Sequence, residues 1–313
     1  MKKALILGGG GFAGRYLAAQ LRASGLWHVA VSGSTSAPRG VDCDESFAAN
    51  VLDQDALKKL VRDYAPDGIF HLAAQSSAAL SWKEPGMTVD VNIRGTVNVL
   101  EAARAVEKTP RILLIGSSEE YGAVSAEECP IREEQPLHPG NPYALSKVSQ
   151  ELLGRLYFEA YGMDVISVRA FNHIGPGQAE SFAVSDFCRQ TALIEKGERP
   201  PVISVGNLSA RRDFTDVRDV VRAYALLMEK GKGGEVYNVG SGEARSLQEM
   251  LDVILSLSTR EIRVETDPAR FRPLDAPLNV ADVTKLRESV GWTPEIPVRD
   301  TVRDTLNYWR ERV

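Results

Sequence analysis

Tyr143 and Lys147 stand four residues apart in the stretch Asn141-Pro142-Tyr143-Ala144-Leu145-Ser146-Lys147, and the run from Ser146 to Tyr157 reads as a helix. That spacing sets a phenol and an ammonium on one helical face, about one turn apart. A free tyrosine, with a pKa near ~10, is a poor base at neutral pH. An ammonium at ~4 Å and an effective dielectric of ~20 favours the phenolate by ~4 kcal/mol, roughly three pKa units. The expectation is a tyrosine whose pKa is drawn down towards neutrality and which exchanges a proton with a substrate hydroxyl. The spacing alone would equally suit a solvated helix face, so the surroundings decide.

Those surroundings begin with Ala4 to Leu7, a short apolar run ended by Gly8-Gly9-Gly10-Gly11-Phe12-Ala13-Gly14 and followed by a helical pattern from Arg15 to Ser24. Gly8, Gly11 and Gly14 have a G-x-x-G-x-x-G spacing. After a strand, glycines allow a tight turn and a close approach to a pyrophosphate, which then rests on a helix N-terminus. His28 to Ser32 is the second strand. Where an acid would bind the ribose of NAD, the chain has Gly33-Ser34-Thr35-Ser36 and then Arg39, which suits a 2′-phosphate. NADP(H) is the preferred cofactor on this reading and NAD(H) remains possible. A helix at Ala56 to Tyr64, a strand at Asp67 to Leu72 running into Ala73-Ala74, a helix at Asn92 to Val106 and a strand at Arg111 to Gly116 follow. This alternation predicts an α/β fold with a Rossmann doubly wound parallel sheet. Its ligands belong beyond the carboxyl ends of the strands, where Ser117 and Glu119 fall.

The helix after Lys147 extends to about Tyr161, and Val165 to Ala170 is another strand, leading into Phe171-Asn172-His173-Ile174-Gly175-Pro176-Gly177-Gln178. Helices at Val184 to Lys196 and Val217 to Lys230 then mix with short strands and proline-rich connections. The expected division is a nucleotide-binding domain at 1–170 and a smaller α/β substrate domain at 171–313, with segments returning to the first. Arg211-Arg212-Asp213 and Arg270-Phe271-Arg272-Pro273 carry the arginines of this half. Guanidinium forks match phosphate oxygens, so Arg212 and Arg272 are candidates to meet a diphosphate. Surface pairing with Asp213 and Asp275 is the alternative.

The chain has 313 residues, 43% hydrophobic and 25% charged, with a net charge of -5 and a pI near 5.6. That balance argues against a nucleic-acid partner. Cys43, Cys129 and Cys188 show neither metal spacing nor a disulfide framework, which fits a reducing compartment. The short apolar run after Met1-Lys2-Lys3 is no signal peptide, and no run reaches membrane-spanning length. The expectation is a cytoplasmic protein with no membrane partner and no metal site.

Jointly, the N-terminal glycine pattern, His71-Leu72-Ala73-Ala74, Asn92, Ser117 four residues before Tyr121, and Tyr143-x-x-x-Lys147 resemble the extended short-chain dehydrogenase/reductase family that modifies nucleotide sugars. The resemblance covers nearly the whole chain. It implies that Ser117, Tyr143 and Lys147 form the catalytic triad. It also implies a dinucleotide site drawing on Gly8, Gly11, Phe12, Gly14, Ser34, Arg39, Asn50, Val51, Leu72, Ala73, Ala74 and Asn92, with Tyr143 and Lys147. Asn50 stands where the family usually has aspartate. Gly116-Ser117-Ser118-Glu119-Glu120-Tyr121-Gly122, the loop after Phe171 and Val205-Gly206-Asn207-Leu208 look like the signatures of GDP-sugar enzymes. These imply substrate contacts from Ser118, Asn172, Gly206 and Asn207, beside Arg212 and Arg272. The implied reaction is reduction of GDP-4-keto-6-deoxy-D-mannose to GDP-D-rhamnose, with Tyr143 as proton donor. Alternatives are a 4,6-dehydratase, with Glu119 as base at C5, and a nucleotide-sugar 4-epimerase. The resemblance further implies a homodimer through the helices at Asn92 to Val106 and Ser146 to Tyr161, with Leu152, Leu153, Leu156 and Tyr157 as the apolar face.

Overall fold

The computed structural model describes residues 1–270 and 277–313, so Arg272 and Asp275 lie outside the described residues. The first half runs β1 (Lys2–Leu7), α1 (Phe12–Ala23), β2 (Trp27–Gly33), β3 (Glu45–Ala48), α2 (Gln54–Tyr64) and β4 (Gly68–His71). Short helices α3 (Ala78–Lys83) and α4 (Pro85–Val89) follow, then a π-helical turn (Asp90–Arg94) that leads directly into α5 (Gly95–Arg104). Next come β5 (Arg111–Ile115), α6 (Pro142–Tyr161) and β6 (Val165–Ala170). The remainder comprises β7 (Asn172–Ile174), α7 (Ala183–Lys196), β8 (Val202–Val205), β9 (Arg211–Asp216), α8 (Val217–Lys230), β10 (Val236–Val239) and β11 (Ala244–Ser246). It closes with α9 (Leu247–Leu257), β12 (Arg263–Thr266), β13 (Leu278–Asn279), α10 (Thr284–Val290) and α11 (Val298–Arg310).

Seven strands form one sheet in the order β10-β6-β5-β4-β1-β2-β3, and every neighbouring pair in it is parallel. Covered on both faces, such strands read as continuous apolar runs, and β6 is buried at every position. One face packs on α1 and α8 through Leu17, Leu21, Val220 and Leu227, and the other on α2, α5 and α6 through Leu57, Val61, Leu100 and Leu153. A separate cluster joins α7, α9 and α11 through Phe187, Leu251 and Leu306. The strand order reverses between β1 and β4, and the crevice beyond their carboxyl ends is the topological switch point at which such sheets bind ligands.

The helix carrying Tyr143 and Lys147 starts earlier than the apolar pattern predicts, at Pro142 rather than Ser146. Asn141 is its N-cap, its side chain accepting the Ala144 N–H at 2.8 Å, and Pro142 occupies the first helical position. Gly162, at φ 66°, ends it in the left-handed conformation. Gly154 lets α6 lie close against the sheet, since a Cβ there would come within 2.6 Å of Leu114 Cδ1. Among the described residues, no helix is long and apolar enough to cross a membrane.

Candidate active site

A cavity of about 1630 Å³ opens over the carboxyl ends of the sheet strands. Ligand pockets commonly hold ~300–1,000 Å³, so this one has room for two bound molecules. Its one side is the loop between β1 and α1. Gly8 has φ 83°, and a Cβ there would stand 2.7 Å from the Ala73 nitrogen, so this residue lets the β1 and β4 loops touch. At Gly14 a Cβ would lie 2.7 Å from the Gly8 oxygen, and glycine there lets α1 pack onto the loop. Gly11 caps α1 with no side chain, and the first turn of α1 has no acidic residue. The helix therefore offers bare N–H groups to an anion, and the cradle fits a dinucleotide pyrophosphate.

Gly8, Gly11, Phe12, Gly14, Ser34, Asn50, Val51, Leu72, Ala73 and Ala74 all line the cavity, as expected of the cofactor side. Arg39 does not. It is exposed, and its carbonyl accepts from Arg15, which reaches across from α1. Asn92 does not line the cavity either. The π-helical turn holds it wholly buried, its amide exchanging bonds of 2.8 and 3.0 Å with the Gln75 backbone and donating to Ser146 Oγ at 2.8 Å. Asn92 is thus a tie between the β4 loop and α6 rather than a wall of the site.

On the opposite side are Ser117, Ser118, Glu119, Tyr143 and Lys147, brought together where β5 ends and α6 begins. Lys147 is 4% exposed, and its Nζ donates to the Ile115 carbonyl at 2.7 Å and to Gln150 Oε1 at 3.1 Å. An ammonium has three donors, so one remains for the cavity. Burial pulls Lys147 down to about 8, while the charge of Glu120 opposes that change. Tyr143 behaves opposite to the expected lowering: burial raises its pKa, and hydrogen bonding with Ser117 only partly offsets this. The Lys147 Nζ stands 6.0 Å from the Tyr143 ring centroid and is drawn towards two neutral acceptors, so the attraction of its charge does not overcome desolvation. Tyr143 is a protonated phenol at neutral pH. Glu119 faces the cavity with Oε2 held by Asn141 Nδ2 at 2.8 Å. His71, beneath Lys147, is kept neutral, its pKa lowered to about 3 by burial and by Lys147.

In the far half, Asn172 and Arg212 line the cavity, whereas Gly206 and Asn207 do not. A Cβ at Gly206 would meet the Arg270 carbonyl at 2.7 Å, and Asn207 Oδ1 accepts from Ser209, so both organise the loop after β8. Asp213, the acid next to Arg212, is wholly buried and collects the N–H groups of Ser241, Gly242 and Ala281. The motif reading overlooked Gln150, Trp82 and Phe182, the last two reaching the cavity from α3 and from just before α7. Isolated aromatics outside any periodic run gave no signal. Gln150, one turn beyond Lys147 and in helical register with it, was readable from spacing. Among the described residues, no cluster of histidine, cysteine and acidic side chains could hold a metal.

A parallel sheet with its ligand crevice at the switch point and a buried Tyr-x-x-x-Lys pair beside Ser117 define a short-chain dehydrogenase/reductase-type enzyme of the extended, epimerase/dehydratase kind. The chain belongs to the GDP-mannose 4,6 dehydratase family, whose model matches residues 5–305. It is 36% identical over 264 residues to the GDP-6-deoxy-D-mannose reductase of Pseudomonas aeruginosa, covering 84% of this chain and 86% of that protein. Against the GDP-mannose 4,6-dehydratase of Vibrio cholerae it is 28% identical, covering 96% of this chain and 91% of that protein. The structure of RMD from Pseudomonas aeruginosa complexed with NADPH superposes with a TM-score of 0.90, at 32% identity and over 100% of both chains.

Gly8→Ala tests the cradle. Alanine at a positive φ costs about 1–3 kcal/mol, and its methyl would drive the β1 loop off Ala73. Affinity for a reduced nicotinamide dinucleotide, read by fluorescence titration, falls at least about tenfold on the 1.4 kcal/mol-per-decade scale, with a lowered melting temperature.

Proposed function

We propose that this enzyme reduces GDP-4-keto-6-deoxy-D-mannose to GDP-D-rhamnose with NADPH. The observation that carries the reading is the buried Tyr143 phenol, which starts with its proton in place beside Ser117. Reduction of a ketone needs such a donor. The 36% identity to a GDP-6-deoxy-D-mannose reductase supports the same direction. The absence of an acid at the end of β2, with Ser34 on the cavity wall, supports NADPH, as does the NADPH complex of the superposing structure. Residues 1–170 are assigned mainly to the cofactor and 171–313 mainly to the sugar nucleotide.

When bound, the nicotinamide supplies hydride to C4 of the sugar. Tyr143 donates its proton to the developing C4 alkoxide, and the Ser117 hydroxyl orients and stabilises that oxygen. Lys147, tethered by Ile115 and Gln150, supplies positive charge as the phenolate forms. Arg212, on the wall of the far half, is assigned to the diphosphate together with Arg272.

A 4,6-dehydratase is the second reading, favoured by the family model and by the Glu119 carboxylate at the cavity wall. Incubation with GDP-mannose and with its 4-keto-6-deoxy derivative separates the two. A reductase consumes one NADPH per 4-keto sugar and leaves GDP-mannose untouched, whereas a dehydratase acts on GDP-mannose with no net NADPH loss. The same assay with NADH is expected to give the lower kcat/KM, and a clear NADH preference would overturn the cofactor assignment.

Tyr143→Phe keeps the ring and removes the proton. Turnover of the 4-keto sugar should fall by ~10²–10⁴-fold while NADPH affinity stays within a few-fold, and near-normal turnover would remove Tyr143 from its role.

A homodimer is also proposed. Of the expected face, Leu153 and Tyr157 turn to the core, whereas Leu152 and Leu156, with Leu145 two turns earlier, lie exposed along one side of α6 among the described residues. Light scattering at micromolar concentration should give twice the chain mass, and Leu152→Arg with Leu156→Glu should return the monomer.

A further inference from the structure

Glu120 is a buried carboxylate that the reaction scheme leaves unused. It has no exposed surface, and it sits in the short 3₁₀ turn Ser118–Tyr121 directly after Ser117. Its Oε1 accepts the backbone N–H of Ser117 at 2.7 Å. Its Oε2 has no hydrogen-bond partner. Gly116 makes room for this carboxylate, since a Cβ there would stand 2.3 Å from Oε1.

The charges facing Glu120 come from each element packed around it. Arg169, on β6, approaches Oε2 at 3.8 Å but is committed elsewhere. Its Nε and Nη2 clasp Glu151 at 2.8 and 2.6 Å, and Nη1 donates to Tyr121 and to the Glu133 carbonyl. From α6 come Glu151, Lys147 and Tyr143. The turn itself adds Glu119 and Tyr121, the loop before α6 brings exposed His138 by its backbone, and neutral His71 lies on β4 beneath Lys147. Arg169 and Glu151 satisfy one another. Lys147 hydrogen-bonds two neutral acceptors, while Glu120 Oε2 has Arg169 at 3.8 Å as an ion pair without a hydrogen bond. Lys147 and Glu120 grip the same strand end, one at the Ile115 carbonyl and the other at the Ser117 N–H.

We infer that Glu120 is a positioning residue of the catalytic centre: one oxygen fixes the Ser117 backbone, and the other carries the buried negative charge that keeps Lys147 an ammonium. Burial and Glu151 raise the pKa of Glu120, so it ionises as pH climbs towards the range in which Lys147 would discharge. Its charge arrives when it is needed. A negative Glu120 favours both the Lys147 ammonium and the Tyr143 phenol, the two states reduction requires. Consecutive residues of a 3₁₀ turn are ~120° apart, so Glu119 can face the cavity while Glu120 faces the interior.

This inference rests on the reductase reading, and the test separates the two. Glu120→Gln keeps an acceptor for Ser117 and loses the charge; Glu120→Leu loses both and suits a dry site. The alkaline limb of kcat for NADPH-dependent reduction should move to lower pH by about one unit in each, the size of shift a nearby buried charge commonly produces. Substrate KM should stay within about threefold in the glutamine variant. Glu120→Asp, which keeps the charge, should retain the limb of the unaltered enzyme. Lys147 itself should follow: in protein labelled at lysine Cε, its NMR titration midpoint should fall in both uncharged variants, a readout that needs no substrate. Superimposable kcat profiles and an unmoved Lys147 midpoint would overturn the inference. A uniform loss of kcat at every pH with the midpoint unchanged would also overturn it, leaving Glu120 a purely structural cap. An enzyme that oxidises no NADPH with the 4-keto sugar would instead remove the reductase reading, while the Lys147 titration would still decide for or against Glu120.

Discussion

An ammonium held out of water is the constraint on which the rest of this structure turns. Withdrawing Lys147 from solvent costs several kcal/mol unless its donors are met. The donors are met by the Ile115 carbonyl at the end of β5 and by Gln150 one turn along α6. For Nζ to reach a strand carbonyl, α6 must lie flat on the sheet, and Gly154 permits that approach. The start of α6 is then fixed by Asn141 and Pro142, which places Tyr143 in the first turn over the same strand end. The dryness that lowers Lys147 also keeps the proton on Tyr143. One cause sets both protonation states.

The same economy governs the groups around the pair. His71, buried under Lys147, would add a second positive charge if protonated, and desolvation keeps it neutral. It meets Thr96 Oγ1 at 3.2 Å, and that hydroxyl donates in turn to the Asn92 carbonyl. Asn92 joins the Gln75 backbone to Ser146, so the β4 loop is fastened to the helix that carries Tyr143 and Lys147. The π-helical turn puts Asn92 there by letting one turn of backbone widen.

Where local pattern determined the outcome, the sequence could be read. Strands buried on both faces appear as apolar runs, and α8 lies at Val217–Lys230 as its periodicity predicts. The glycine spacing and the Tyr-x-x-x-Lys spacing brought their residues to one cavity. Long-range placement was not legible. Short, half-buried β3 has too little apolar pattern to announce a strand. Arg39 has the charge for a 2′-phosphate, but its side chain lies exposed on a loop off the cavity. Asn92 belongs to a cofactor motif, and its amide is consumed by contacts with Gln75 and Ser146 that only the folded chain creates. Glu120 and Arg169 carry no signal in the sequence, because nothing local reveals that a partner 49 positions away is buried with each. The sign of the Tyr143 shift failed for the same reason: spacing gives the Coulombic partner but not the desolvation.

Two neighbouring carboxylates separate the chemistries open to this scaffold. Elimination of water from a sugar needs a base that reaches carbon, and Glu119 is the carboxylate on the cavity wall. Asn141, the residue that caps α6, also holds one Glu119 oxygen, which ties the base to the position of Tyr143. Yet oxidising a hydroxyl, the opening step of a dehydratase, requires Tyr143 to accept a proton. In this chain burial raises the Tyr143 pKa, and Glu119 and Glu120 add to that rise, so the phenol holds its proton. The adjacent acids therefore favour the protonated phenol, the form from which reduction of a carbonyl would start, while making it a weaker acid. The carboxylate that in an elimination would take a carbon-bound proton would in a reduction belong to the field that holds the proton on the phenol.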